Sequence, residues 1–207
     1  MKSTPSKIKV IGKIPLTACL SLLLFGVYSC DSVAVKRWLK TGSSPENYEV
    51  GIDKTEAVNG QKSAFLLSDS ALSEQFGTLM QSVGAKEYQG KKIRMTGFIK
   101  SENVKDWSGM WLRIDDYSGV SSTYFDNMED RPIKGNTDWT EYEILMDVPK
   151  DGYSMNFGVL LVGQGKVWLD DVKFEIIGES MEAFSDTLTT NQPYPFSLRP
   201  ENLDFEE

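Results

Sequence analysis

Ile93-Arg94-Met95-Thr96-Gly97-Phe98-Ile99-Lys100 alternates on a period of two, with Ile93, Met95, Gly97 and Ile99 set against Arg94, Thr96, Phe98 and Lys100. Successive side chains of a strand point to opposite faces, so this stretch reads as a half-buried β-strand. The same period runs through 139–148, where Tyr142, Ile144, Met146 and Val148 oppose Glu141, Glu143, Leu145 and Asp147. Working outward, further strands are expected over 63–68, 76–83, 109–115, 121–128, 155–162 and 166–177. Turn residues separate them, as in Asp115-Asp116-Tyr117-Ser118-Gly119 and Pro149-Lys150-Asp151-Gly152. The one helix expected is short, over 70–76. Many short strands without a long 3.6-residue period predict an all-β fold, an antiparallel sandwich of two sheets.

Composition narrows the chemistry. The chain has 207 residues, 22 Lys+Arg, 30 Asp+Glu, two cysteines and no histidine. A formal charge of −8 disfavours nucleic-acid binding, which needs a basic face. Without histidine, Ser-His-Asp and Cys-His catalysis are excluded, as are nearly all common zinc sites. No enzyme is expected.

The amino terminus reads as a targeting segment. Lys2, Lys7, Lys9 and Lys13 precede an apolar run, 14–28, that is shorter than the roughly 20 residues a membrane-spanning helix needs. The run ends Val27-Tyr28-Ser29-Cys30, which resembles the lipobox of bacterial lipoproteins, with Tyr28 bulkier than the usual occupant. The resemblance implies a diacylated Cys30 after removal of residues 1–29. Cleavage would take away four lysines and no acid, moving the net charge from −8 to about −12. The expected organisation is a signal peptide (1–29), a tether (30–40), a β-sandwich (41–178) and an extended tail (179–207). Phe196, Leu198, Leu203 and Phe205 are apolar enough for the tail to lie along the sandwich.

The stretch Trp107-Ser-Gly-Met-Trp-Leu-Arg-Ile-Asp115 is the densest in candidate binding groups. As a strand it puts Met110, Leu112 and Ile114 on the core face and Trp111, Arg113 and Asp115 on the other. A flat ring can stack on a sugar while Arg113 and Asp115 direct hydrogen bonds to hydroxyls. The alternative is that Trp111 covers the sandwich and Arg113 pairs with Asp115 or Asp126. Downstream, Asp126, Asn127 and Arg131 form a polar group at a strand end, followed by Trp139. They read either as binding groups or as a turn in which Asp126 and Asn127 bond backbone and Arg131 anchors the loop. Asp53 and Asp170 could ligate calcium as hard oxygen donors. The doublets Asp115-Asp116 and Asp170-Asp171 point to opposite faces and cannot share one substrate.

Several short motifs keep a definite order: Trp38-Leu-Lys-Thr-Gly-Ser-Ser-Pro-Glu-Asn-Tyr48, Phe76-Gly-Thr-Leu-Met-Gln81, Gly109-Met-Trp-Leu-Arg113, Phe125-Asp-Asn-Met128, Phe157-Gly-Val-Leu-Leu161 and Val167-Trp-Leu-Asp-Asp171. Together they resemble a bacterial domain, largely uncharacterised, found alone and attached to helix-turn-helix regulators. More distantly, Val167-Trp-Leu-Asp-Asp-Val-Lys-Phe174 after Trp139-Thr-Glu-Tyr142 resembles the jelly-roll carbohydrate-binding modules of the galactose-binding-like class. That resemblance implies a concave aromatic-bearing face, including Trp111, Arg113 and Asp126, and a structural calcium near Asp53 or Asp170. The function expected is non-catalytic binding of a saccharide or other small polar ligand, lipid-anchored at the bacterial cell envelope. The rivals are a protein-interaction module and a glycan-active enzyme using Asp115 or Asp126.

Overall fold

The computed structural model describes residues 35–117, 124–181 and 197–207. The targeting segment, Cys30 and most of the expected tail lie outside the described residues.

Among the described residues nine strands form in chain order: β1 (Leu39–Gly42), β2 (Glu49–Asp53), β3 (Ser63–Ser68), β4 (Phe76–Gly84), β5 (Lys91–Asp115), β6 (Phe125–Asp126), β7 (Ile133–Asp147), β8 (Ser154–Val162) and β9 (Gly165–Glu179). All pair antiparallel, along a path β1-β4-β8-β5-β9-β3-β2, with β6 and β7 also on β5. The expected all-β sandwich is the observed architecture.

β5 is the residue-level reason for two layers. Its first half pairs with β9 and β7, whereas Trp107 to Asp115 pair with β8 and, at Leu112 and Arg113, with β6. The alternation read at 93–100 and at 109–115 therefore belongs to one strand. Between them lie register shifts against β7 and a left-handed Asn103 (φ 53°), which bend the strand where the one continuous sheet folds from one layer into the other. β8 turns directly into β9 through Gly163 and Gln164. Ile93, Met95 and Ile99 meet Met110, Leu112, Ile114, Phe157, Leu161 and Leu169 in the core, each fully buried.

Two expectations are corrected. No helix forms over 70–76: the Ser68 hydroxyl accepts the Ala71 N–H as an N-cap would, but Glu74 turns to φ 74° and the chain enters β4. The chain within the span expected as a tether already folds, since Val35 and Trp38 are buried. Trp38 packs its ring 5.6 Å from Phe157 and 5.0 Å from Phe205, and its indole N–H donates to the Asn202 carbonyl. The Asn202 side-chain amide donates a hydrogen bond to the Lys36 carbonyl, and Glu206 accepts the N–H groups of Gln61 and Lys62. Residues 197–207 thus lie along the sandwich, with Phe205 fully buried and Leu198 exposed.

Candidate functional site

In an antiparallel sheet, residues directly opposite one another share a face. That rule lays out the outer face of β1, β4, β8 and β5 in rows. Phe76, Val162 and Trp107 make one row, and Thr41, Thr78, Leu160 and Gly109 the next. Met80, Gly158 and Trp111 follow, then Ser82, Asn156 and Arg113, with Phe125 of β6 opposite Arg113. All of these residues except Gly109, Gly158, Ser82 and Asn156 line a groove of about 450 Å³, bordered also by Gly42 and Asn127.

Trp111 forms its floor. Its indole N–H reaches past β8 to donate to the Thr78 hydroxyl on β4 at 2.8 Å. The residue opposite it on β8 is Gly158, where a Cβ would run into the Leu79 carbonyl and Met80 Cα. Thr78 in turn donates to the Val159 carbonyl at 2.9 Å. Trp111 consequently retains 7% exposure. Trp111 lies on the outer face, as its spacing predicts, but the ring is a packed floor and not a projecting platform. The exposed rings are Phe76 and Phe125, the latter 6.5 Å from Trp111 at 66°.

Arg113 is the charged side chain of the lining. Its Nε and Nη2 donate to the two oxygens of Asp115 at 2.7 and 2.8 Å, and Asn156 donates to the same carboxylate at 2.8 Å. The Ser82 hydroxyl holds the Asn156 carbonyl oxygen. Asp115 is buried and Arg113 is 42% exposed, so the carboxylate orients a guanidinium that still meets solvent.

The other sequence candidates fall elsewhere. Asp126 lies opposite the buried Leu112, on the reverse face from Arg113, because adjacent strand residues alternate. It accepts the Met128 N–H and the Arg131 guanidinium at 2.7 Å, which raises the Arg131 pKa. The pair staples a turn whose Met128 sits at φ 62°. Asn127 does line the groove, its side-chain oxygen accepting the Glu129 N–H. It is placed by Gly109, where a Cβ would press on the Asn127 carbonyl. Trp139 stands half-buried on β7, outside the groove lining. Trp107, Trp111, Arg113 and Asn127 are thus brought together; Asp115 supports them from behind; Asp126, Arg131 and Trp139 do not join them.

Asp53 and Asp170 are held by donors. Asp53 accepts from the Trp168 indole, Thr55 and Lys166. Burial pushes its carboxyl up, but these bonds outweigh burial and hold it well below the usual carboxylate range. Asp170 is fully buried and accepts the N–H groups of Val58, Asn59 and Asp171. Burial raises its pKa against those bonds. A cation at Asp53 would meet the Lys166 ammonium, 3.3 Å away. Among the described residues no group of three or more Asp, Glu, Cys or His gathers as a metal site.

Sequence reasoning missed Phe76, Thr78, Met80, Phe125 and Leu160. One signal was available: Phe157 to Val162 is apolar on both faces, apart from Gly158, the pattern of a strand covered on both sides.

No family model matches the chain. It is homologous to a Bacillus subtilis protein described as an uncharacterised HTH-type transcriptional regulator, YbfP, with 39% identity over 176 residues. The match covers 84% of this chain but 57% of that relative's length. In three dimensions the sandwich resembles the CBM22-1 xylan-binding domain of Paenibacillus barcinonensis Xyn10C, with TM-score 0.51 and 12% identity, over 69% of this chain and 87% of that one. A Stig cyclase from Fischerella, solved with an indole ligand, has TM-score 0.51 and 13% identity over 70% and 87%. A shared sandwich therefore spans binding modules and a cyclase, and the fold by itself leaves the chemistry open.

Proposed function

We propose that this chain is a non-catalytic binding module, held at the bacterial cell envelope through a lipid on Cys30, whose groove takes a saccharide or another small polar ligand. The observation that carries the reading is the groove. Its volume of about 450 Å³ suits a small molecule, and it combines ring faces with an oriented guanidinium. Rings offer stacking to an apolar ligand face, while Arg113 and Asn127 supply directed hydrogen bonds. The likeness to a xylan-binding domain supports the same reading at the level of fold.

The test is a calorimetric titration of the full chain with xylohexaose and a set of monosaccharides and small polar acids, repeated with Phe125→Ala. Phe125 is 46% exposed, so its truncation should leave stability within about 1 kcal/mol. Loss of its ring contact should weaken binding roughly tenfold, equivalent to about 1.4 kcal/mol. Undiminished affinity in that variant would remove the groove as the site.

A further inference from the structure

Resting on the reading that this groove is the binding site, we propose that its ligand is an amphipathic carboxylate: a ring-bearing apolar body with an acceptor-only head group at Arg113. The lining separates into two chemistries. Phe76, Met80, Trp107, Trp111, Phe125, Leu160 and Val162 cover the floor and most of the walls. Their neighbouring polar groups are turned onto the protein: the Trp111 N–H onto Thr78, the Thr78 hydroxyl onto the Val159 carbonyl, and the Thr41 hydroxyl onto the Met80 sulfur at 3.8 Å. Over this surface a ligand gains by burying carbon and is penalised for burying hydroxyls.

Besides the Trp107 indole N–H, a donor only, the remaining polar side chains of the lining are Arg113 and Asn127, both supplied from the β5 and β6 side. Arg113 has donors only, and the Asn127 carbonyl oxygen is engaged by the Glu129 N–H, leaving its amide N–H₂ as the complementary side. Among the described residues no carboxylate lines the groove; Asp115 lies behind Arg113 with both oxygens taken by it and a further bond from Asn156. A sugar hydroxyl donates as well as accepts, so a neutral polyol would leave O–H groups unanswered here. A carboxylate accepts only, and it matches an arginine with charge-assisted bonds. The guanidinium is fixed by Asp115 yet 42% exposed, which presents it ready-oriented.

The experiment titrates the full chain with three probes: 2-naphthoate, its neutral counterpart 2-naphthalenemethanol, and xylohexaose. The expected result is naphthoate binding at least tenfold tighter than the alcohol. Arg113→Gln by itself strands a buried Asp115, so the variant is the double change Arg113→Gln with Asp115→Asn. In it the preference for naphthoate should vanish while alcohol binding persists. Equal affinity for the two aromatic probes, or a preference unchanged in the double variant, overturns the carboxylate head group. Xylohexaose binding that depends on Phe125, with no advantage for naphthoate, also overturns it and leaves the binding module standing. Absence of binding by all three overturns the binding module and this inference with it.

Discussion

Thr78→Val tests the bond that holds the Trp111 indole in place. Valine keeps the volume of threonine, so no cavity opens, but the hydroxyl that joins the Trp111 indole to the Val159 carbonyl disappears. Two buried hydrogen bonds at about 1 kcal/mol each are lost, and the indole N–H is left without an acceptor under 7% exposure. The combined cost is about 2–3 kcal/mol, or a fall in Tm of roughly 4–12 °C for a domain of this size. A double-mutant cycle with Trp111→Phe isolates the bond, since phenylalanine has no N–H to strand. In that background Thr78→Val should cost about 1–2 kcal/mol less. The assay is urea denaturation of the full chain followed by far-ultraviolet circular dichroism, which does not depend on the tryptophan replaced. A coupling energy below about 0.3 kcal/mol, within the scatter of independent sites, would refute the argument that Thr78 sets the floor of the groove.

Asp53 should contribute to pH-dependent stability. Its folded pKa lies below the unfolded value near 4, so its stabilisation is complete above about pH 4 and is lost as pH falls through that region toward the folded value. Asp53→Asn should therefore lower the denaturation midpoint at pH 7 and narrow the gap to the parent at pH 3; a gap of constant size would contradict the assignment. Cys30→Ser should move the protein from the membrane fraction to the soluble fraction, and an unchanged distribution would reject lipid anchoring.

The sandwich was legible where strands alternate, as at 93–100, and not in β8, which is covered on both faces. Ile93, Met95 and Ile99 face the core as their spacing requires, and so do Met110, Leu112 and Ile114. What alternation could not show is that these are one strand. The intervening stretch carries register shifts and Asn103 in a left-handed conformation, which erase the period of two. β1 and β2 are four and five residues long, too short for a period to declare itself. At the groove, alternation placed Trp111 and Arg113 on the correct face. The same rule, applied one residue further, separates Phe125 from Asp126: the ring lies opposite Arg113 and the carboxylate opposite Leu112. Where the Trp111 ring comes to rest depends on Thr78, 33 positions away, a partner that no local pattern reveals.

The clasp between Trp38 and the stretch from Asn202 to Phe205 has a kinetic consequence. The bond from the Trp38 indole spans 164 positions, and β5 must wait for partners that all lie downstream of it, out to β9. Such pairings close long loops before they return any contact energy, so folding should be slow for the size of the domain. A chain emerging from the ribosome cannot bury Trp38 until Phe205 has followed it out. Until then its aromatic groups remain open to chaperones and to neighbouring chains.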